Sequence, residues 1–323
     1  ETEGEGESGN GVVITPVLEA HTTAVRDLAF MTGRDDVFVS ISEDGTLKVW
    51  DTEDYACVLC IPCEKDSTPL CLCIVDCVAL VGCSDGAVRA YDVETNERLW
   101  ELMDADRRAV TRITVSPSLS YFVTGGITGD VRVWDFKEKR LRAVYKDHIM
   151  SVTGLHVTGD DQFIVSSAKD CNIIVTGRDS GTRHGSTRAP GPIAGLVPFA
   201  DTVAGKSRGR PGSPASAEGH MVLVGGRIQI VDMAHAEITG EARSSCQQTC
   251  VAGIPRPDGQ GMHIVVGRED TQVALWSCET LGQPVLLGEY VGHASCISCV
   301  AVSGNRVVSG SEDGSILVWA LEE

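Results

Sequence analysis

The sequence lacks several features that would assign it to common classes of protein. No run of apolar residues approaches the roughly 20 that a membrane-spanning helix requires. Neither a G-x-x-x-x-G-K-[ST] phosphate-binding loop nor an H-E-x-x-H zinc motif is present. Lys and Arg number only 27 against 45 Asp and Glu, and the net charge of −18 repels nucleic acid and anionic membranes. The expected partners are therefore proteins or peptides, with basic segments favoured by charge, and no cofactor is predicted.

The 13 cysteines are odd in number and show no spacing typical of a disulfide framework. In a chain that can bury a large core we expect them to be reduced, as in an intracellular, cytoplasmic protein, with the nucleus and the cilium also open. Cys57, Cys60 and Cys63 have the short spacing of a metal site. The first two fall on a predicted strand whose faces alternate, so they should point in opposite directions, and no metal site is predicted.

A hairpin pattern recurs along most of the chain. Ser309–Trp319 and Ser40–Asp51 each combine a strand, an Asp-Gly pair and a second strand that carries Trp. Asp-Gly predicts a two-residue hairpin loop, because such a loop requires positive φ angles. The aromatic end of the pattern, or its substitute, falls at Trp50, Tyr91, Trp134, Thr176, Val231, Trp276 and Trp319. Successive marks are 41 to 45 residues apart, except for one interval of 55.

This period, with Gly-His at Gly292-His293 and Trp-Asp at Trp50-Asp51, resembles the WD40-repeat family of β-propellers over nearly the whole chain. The resemblance implies an all-β fold, in which residues 11–323 form one propeller of seven four-stranded blades. Only four residues follow Trp319, so the last blade lacks an outer strand. Val12–Leu18 precedes the first repeat, and we expect it to complete that blade and close the ring.

Two segments fall outside the repeat pattern. Residues 1–10 (ETEGEGESGN) form an acidic tail that we expect to be disordered, because it has nothing to bury. Residues 201–219 account for the long interval, and their Gly, Pro and Ser content predicts a flexible insertion in blade five. A first residue other than Met leaves open that the chain is a fragment of a longer protein.

Ser, His and Asp recur together in a way that resembles a hydrolase triad. The set occurs in several repeats, however, whereas an enzyme needs one site with defined geometry. The family resemblance implies instead a structural hydrogen-bond network, since buried polar groups must be paired. Its predicted members are His21, Ser40, Asp44, Trp50, His148, Ser166, Asp170, His293, Ser309, Asp313 and Trp319. No catalytic residue is predicted.

The same resemblance implies that partners bind at the mouth of the central channel. The residue before each turn Asp and the second residue of each innermost strand should line this mouth. The predicted contact residues are Arg26, Glu43, Lys169, Glu269 and Glu312, and the second-residue set adds Thr111, Thr153, Ala194 and Ser298. In a closed ring the three glutamates form an acidic arc, with Lys169 and Arg227 across the channel. This arrangement suits a basic side chain of a partner peptide.

The predicted function is a non-catalytic, monomeric scaffold that presents its faces to other proteins within a larger intracellular assembly. This step rests on resemblance, because one fold serves many functions. Two alternatives remain open. A component of a ribonucleoprotein assembly would need a basic patch larger than Lys206–Arg210. An enzyme built on a propeller would need unrepeated polar residues that converge in a deep pocket.

Overall fold

The computed structural model describes residues 12–198, 220–232, 237–256, 261–279 and 282–321, and strands are its regular elements. Seven four-stranded antiparallel sheets are present. Each innermost strand contacts the innermost strand of the next sheet, and the seventh contacts the first, so the sheets are blades of a closed ring. The predicted seven-bladed β-propeller is therefore confirmed. Within the described ranges, no helix is long and apolar enough to cross a membrane.

In blades one to six the chain runs from the innermost strand outward. Blade one consists of β2 (Val25–Phe30), β3 (Val37–Ser42), β4 (Thr46–Asp51) and β5 (Cys57–Pro62). Blade two consists of β6 (Pro69–Val75), β7 (Val78–Cys83), β8 (Val88–Asp92) and β9 (Glu97–Leu102). Blade three consists of β10 (Val110–Val115), β11 (Tyr121–Gly126), β12 (Val131–Asp135) and β13 (Leu141–Tyr145). Blade four consists of β14 (Val152–Val157), β15 (Phe163–Ala168), β16 (Asn172–Gly177) and β17 (Arg183–Arg188).

The remaining blades follow the same order, apart from the outermost strand of the last. Blade five consists of β18 (Ile193–Pro198), β19 (His220–Gly225), β20 (Arg227–Asp232) and β21 (Glu237–Arg243). Blade six consists of β22 (Gln248–Pro255), β23 (Gly261–Arg268), β24 (Gln272–Glu279) and β25 (Val285–Val291). Blade seven consists of β26 (Ile297–Ser303), β27 (Arg306–Ser311), β28 (Ile316–Leu321) and, outermost, β1 (Val12–Val17).

The N-terminal strand closes the ring as the sequence predicts. It pairs with β28 from Val12 opposite Leu321 to Val17 opposite Ile316, and it ends one residue before the predicted boundary at Leu18. Pro16 is tolerated in this strand because the outer edge of the sheet requires no backbone N–H from it. The first and last segments of the described chain are therefore held in one sheet.

Apolar side chains fill the seven interfaces between neighbouring blades. Each of seven buried clusters draws its members from two adjacent blades, and none is confined to one. At the junction of blades seven and one, Val17 joins Val25, Phe38 and Trp50 in one such cluster. Each blade thus depends on its two neighbours to bury its faces, as in other repeat architectures.

The turns between the second and third strands differ from the predicted two-residue loops. In blade one the Gly45 N–H donates to the Ser42 carbonyl, and Gly45 alone has a positive φ, of 79°, while Asp44 does not. This is a three-residue loop in which a type I turn is followed by one left-handed residue. Asp44 is thereby free to use its carboxylate for other bonds. The Asp-Gly signal predicted a hairpin correctly but gave the wrong loop length.

The outer strand of each of blades one to six carries a bulge beside the aromatic mark. In blade one Trp50 is opposite Cys57 but Val49 is opposite Leu59, so one residue of β5 is extra. Equivalent shifts occur in the next five blades. The extra residue reverses the alternation, and Cys57 and Cys60 therefore share one face. The prediction that these two side chains point in opposite directions is wrong for this reason.

Candidate functional site at the channel mouth

A chain of hydrogen bonds joins the loop before blade one to its hairpin. Trp50 Nε1 donates to Ser40 Oγ at 2.8 Å, Ser40 Oγ lies 2.7 Å from His21 Nε2, and His21 Nδ1 lies 2.8 Å from Asp44. Because the indole can only donate and an ionised carboxylate can only accept, Trp50 Nε1–H and His21 Nδ1–H are the donors at the two ends. Burial lowers the pKa of His21, which favours a neutral imidazole whose Nε2 accepts from Ser40. This imidazole holds the loop against the turn.

This arrangement has the connectivity of a catalytic triad without access to its nucleophile. Ser40 has no exposed surface, and its oxygen already accepts a bond from Trp50. A serine nucleophile must reach a substrate carbonyl, and general acid–base chemistry requires the same of the imidazole. His21 is likewise enclosed, with its side chain 0% exposed. The set in blade one therefore stabilises the fold, as its repetition in other blades also indicates.

Blades four and seven vary the same network. His148 Nε2 lies 2.9 Å from Ser166 Oγ, and its Nδ1 lies 3.1 Å from Asp170. In blade seven, His293 Nε2 lies 2.6 Å from Ser309 Oγ, which also accepts from Trp319. There Nδ1 meets Ser315 Oγ at 2.9 Å rather than the carboxylate of Asp313, which accepts the backbone N–H of Ser315. A serine thus stands between the imidazole and the acid in this blade.

Burial controls the charge of these groups. Burial lowers the pKa of His293 to about 4, and it also lowers the pKa of His21. Burial alone would raise the pKa of Asp44, but hydrogen bonds from Thr46 and His21 outweigh it and hold that pKa below its ordinary value. Both histidines are accordingly neutral at pH 7 beside an ionised carboxylate.

Three blades without a loop histidine use a buried arginine instead. In blade two Arg89, 2% exposed, donates to Asp85 at 2.6 Å and to Ser67 at 3.1 Å. In blade three Arg132 donates to Asp130 at 3.0 Å, and in blade six Arg268 donates to Asp270 at 2.6 Å. Each cation joins a turn acid to the preceding loop or strand, as the histidine does elsewhere. Sequence reasoning missed these arginines, although Val-Arg-x-aromatic-Asp in β8 and β12 marks two of them.

Blade five has neither device. Its turn between the second and third strands is two residues shorter than that of blade one. The last strand pair before the turn is Val224 and Ile228, which enclose three residues, whereas the equivalent pair in blade one, Ile41 and Leu47, encloses five. The shortened turn Gly225-Gly226 holds no acid, and the preceding loop Ala189–Pro192 holds no histidine. A cavity of 160 Å³ occupies the space beside this turn. Arg227 begins the third strand and pairs with Glu241 on the outer strand, so its predicted position across the channel is wrong.

The residue before each turn Asp occupies one structural position around the mouth. The backbone N–H of Glu43, Lys169 and Glu312 each donates to the carbonyl of the residue that precedes its blade's innermost strand. Glu269 is held in the same way by the carbonyl of Gln247. These four side chains are exposed. Burial raises the pKa of the Cys296 thiol to about 11, and the negative charges of Glu312 and Glu269 add to this effect.

Arg26 and Glu43 form an ion pair with each other. About one third of each side chain is exposed, so the pair is accessible at the mouth. Glu43 is therefore already partnered, and of the three glutamates in the predicted acidic arc it is the one that the structure pairs with Arg26. Lys169 is exposed on blade four.

Other predicted mouth positions bind the ring together. Thr111 Oγ1 donates to the Val152 carbonyl of blade four at 2.8 Å. The Ser298 hydroxyl donates to the Val25 carbonyl of blade one. Thr249, whose position in blade six the sequence left unaligned, donates to the Ile297 carbonyl of blade seven. These hydroxyls link neighbouring innermost strands.

The channel below the mouth contains charged groups of both signs. Its cavity of 170 Å³ is lined by innermost strands, and Arg26, Asp27 and Arg112 contribute its charges. Asp27 accepts the Leu72 N–H of blade two at 2.8 Å. Burial raises the pKa of Asp27, and the positive charge of Arg112 opposes the shift. Thr153 and Ala194, two further predicted mouth residues, also line this cavity.

The cysteines are free thiols distributed among several blades. Burial raises the pKa of Cys63 and of Cys250 to about 12, and it raises the pKa of Cys71 well above its ordinary value. These protonated thiols pack as small apolar side chains. In the part of the chain that the structure describes, no three His, Cys, Asp or Glu residues are grouped to hold a metal ion. The acidic tail 1–10 and the insertion 201–219 lie outside the described residues.

Comparison with known proteins identifies four repeats. The family described as WD domain, G-beta repeat matches residues 13–51, 99–135, 139–176 and 284–320. The first matched segment begins within β1 and ends with β4, so it spans one outer strand and three strands of the next blade. The sequence repeat is thus offset by one strand from the blade, which is the offset that closes the ring.

The chain is similar over nearly its whole length to a curated protein associated with cilia. Cilia- and flagella-associated protein 52 of Homo sapiens is 24% identical over 313 residues, which cover 94% of this chain and 47% of that protein. Striatin-3 of Bos taurus is 26% identical over 186 residues, covering 53% of this chain and 23% of that protein. The chain therefore spans about half the length of the first relative and less of the second.

A solved structure shares the fold. A chain in the crystal structure of a mitotic checkpoint complex superposes with a TM-score of 0.78, covering 96% of this chain and 91% of that one, at 14% identity. At this identity the likeness concerns the fold alone.

Proposed function

The chain is a seven-bladed β-propeller in which four segments match the WD40 repeat, and from this premise we propose that it is a non-catalytic scaffold that binds segments of other proteins at its channel mouth. The observation that supports the proposal most strongly is the division of the polar residues between buried networks and exposed positions. The serine, histidine and arginine networks are enclosed and bonded within the blades, whereas the residues before the turns are exposed on one face. The enclosed groups hold the ring together, and the exposed ones are available to a partner.

Charge at the mouth favours a basic side chain on one side of the channel. Glu269 and Glu312 lie on adjacent blades, occupy the same position before their turns and are exposed. A Lys or Arg of a partner placed between two carboxylates would form charge-assisted hydrogen bonds. Glu43 adds a negative charge nearby, but this charge is paired with that of Arg26.

The relatives favour work inside a larger intracellular assembly. Cilia- and flagella-associated protein 52 carries the association with cilia in its name. We propose that this chain is likewise an intracellular, monomeric propeller whose partners are proteins, and the cilium is one compartment to examine. The net charge of −18 argues against nucleic acid as a direct partner.

A peptide selection tests the mouth directly. Random 12-residue peptides displayed on phage are selected on the immobilised chain, and the recovered peptides are synthesised and measured by fluorescence anisotropy. We expect peptides with Lys or Arg, and we expect the E269K/E312K variant to weaken their binding at least tenfold, because attraction becomes repulsion. The matched control, E53K/E97K, makes the same charge change at exposed residues away from the mouth and should leave affinity unchanged. Recovery of no peptide, or equal binding by both variants, would overturn the proposal.

A further inference from the structure

The half of the mouth on blades three and four differs chemically from the acidic half. The position before the turn is occupied by Ile127 in blade three, which is 46% exposed. In the loop that enters blade four, Ile149 and Met150 are 83% and 48% exposed. The two residues that follow the loop histidine are Thr22 and Thr23 in blade one and Ala294 and Ser295 in blade seven. Blade four therefore presents large apolar side chains at positions that carry small or polar ones elsewhere.

Backbone contacts bring these apolar residues together across the two blades. A Cβ added at Gly129, two residues after Ile127, would lie 2.4 Å from the His148 carbonyl oxygen and 2.9 Å from that of Met150. The blade-three turn thus lies directly against the blade-four loop. We call Ile127, Ile149 and Met150 the apolar mouth patch. Such exposed apolar side chains are a frequent mark of an interaction surface.

Basic side chains flank this patch on both sides around the ring, on the blade-three loop and on the blade-four turn. The Ile127 N–H donates to the Ala109 carbonyl, next to the exposed Arg107 and Arg108, and the Lys169 N–H donates to the Ser151 carbonyl, next to Met150. Asp104 and Asp147 are exposed on the same two loops. Each acid follows its outer strand by two residues, whereas Arg108 and Met150 precede their innermost strands by two. Asp104, Lys146 and Asp147 therefore lie at the outer ends of the two loops, and Arg107 and Arg108 lie at the inner end of theirs.

We propose that the apolar mouth patch binds a segment of a partner protein that carries a large apolar side chain next to one or more carboxylates. The apolar side chain would cover Ile149 and Met150 and gain free energy from the removal of both surfaces from water. The carboxylates would face Arg107, Arg108 and Lys169, which are the cations that border the patch. An acidic segment is otherwise disfavoured by a chain of net charge −18, so this local charge selects where it binds.

The inference rests on the proposed function and adds to it the orientation in which a partner segment crosses the mouth. A segment that crosses the mouth would place its basic residue over Glu269 and Glu312 and its apolar and acidic residues over blades three and four. Reversal of the segment would set like charges against each other at both ends, which disfavours that orientation.

The peptides selected on the wild-type chain also test this proposal. We expect them to contain Leu, Ile, Phe or Met within three positions of Asp or Glu. The I149S/M150S variant should weaken their binding at least tenfold, and so should Lys in place of the acidic residues of the peptide. The matched control is L286S/L287S, which removes two exposed leucines, 41% and 48% exposed, from the outer strand of blade six and should leave affinity unchanged. Unchanged melting temperatures of both variants confirm that they fold.

The outcomes separate this inference from the proposed function. If E269K/E312K abolishes peptide binding while I149S/M150S binds as wild type, the apolar mouth patch is not a site and the acidic one is. If the reverse holds, the patch stands and the acidic half fails. Light scattering after size-exclusion chromatography tests a further occupant. A wild-type dimer that I149S/M150S converts to a monomer would show that a second copy covers the patch, and it would overturn the proposal.

Discussion

At the scale of single residues, each turn carboxylate near the mouth needs a buried donor beside it. His21 meets this need as a neutral imidazole, because burial lowers its pKa, and Arg89 meets it as a permanent cation. The two solutions respond differently to pH. An arginine stays charged throughout the accessible range, whereas a buried histidine must be neutral for the fold to be stable.

Acid should therefore destabilise the propeller through its buried histidines. His293 has a pKa of about 4 in the folded protein and an ordinary value of 6.5 when unfolded. Because the folded pKa is the lower one, the unfolded state binds the proton first, and the stabilising contribution is complete above pH 6.5 and is lost as pH falls toward 4. The unfolding free energy should decrease by up to about 1.4 kcal/mol per pH unit from this group.

Chemical denaturation at pH 7.0, 6.0, 5.0 and 4.5 measures that slope. The H293Q variant should show a shallower decrease than the wild type, since it removes one proton-binding group. Replacement of the exposed His184 by Gln is the matched control and should retain the wild-type slope. Equal slopes for the wild type and H293Q would contradict the assignment.

The residues of the network were only partly accessible from the sequence. His, Ser, Asp and Trp stand at fixed places in the repeat, so periodicity alone indicates that they act together. Arg89, Arg132 and Arg268 escape such reasoning because the first two lie on the third strand and the last on the second. An arginine can reach the turn acid of its blade from either strand because its side chain is long. Only the three-dimensional structure shows that the three arginines play the same part.

At the scale of elements, six of the described turns before the third strands hold a left-handed residue at the same position, and in five of them it follows an Asp. Four of these residues are glycines, but Cys171 in blade four and Thr271 in blade six have φ angles of 69° and 73°. A side chain at such an angle crowds the backbone, most of all when it is branched at Cβ. The Asp-Gly pattern marks the hairpins of blades one, two and seven, and it misses the turns of blades four and six because Cys and Thr stand there in place of Gly.

Thr271→Gly should stabilise the protein by about 1 kcal/mol, because relief of the backbone strain exceeds the entropy that glycine loses on folding. The matched control is Gly45→Thr in blade one. A Cβ at Gly45 meets no atom within 4 Å, so that substitution tests the backbone angle without a steric clash. It should lower the unfolding free energy by a similar amount. Thermal and urea denaturation measure both, and a stabilised Gly45→Thr would contradict the argument.

At the scale of the whole molecule, the repeat is offset from the blade by one strand, and this offset decides how the ring closes. The sequence allowed the closure to be predicted, because a last blade without an outer strand and a first strand without a sheet complement each other. It did not allow the mouth to be predicted in full. Exposed positions obey no packing rule, so the Arg26–Glu43 pair and the contact between the turn of blade three and the loop of blade four become visible only in three dimensions.

Closure makes β1 important for the stability of three blades rather than one. Val12 is buried with Val265 of blade six and Trp319 of blade seven, and Val17 is buried with Trp50 of blade one. Removal of residues 11–20 should therefore lower the melting temperature of the whole propeller and expose the unpaired edge of β28. A truncated chain that melts at the wild-type temperature would show that the ring does not depend on this strand.

Single substitutions separate the burial of β1 from its mere presence. Val17 is 6% exposed and Val13, in the same strand, is 57% exposed. Val17→Ala should cost about 2 kcal/mol, from lost burial and the cavity left behind. Val13→Ala should cost less than about 0.5 kcal/mol, as is usual for exposed positions. Urea denaturation followed by tryptophan fluorescence measures the cost of each substitution. Trp50 and Trp319 lie on either side of the closure, so a loss of stability at β1 should shift the single unfolding transition that they report. Equal costs at the two positions would mean that β1 pairs with β28 without packing against the neighbouring blades.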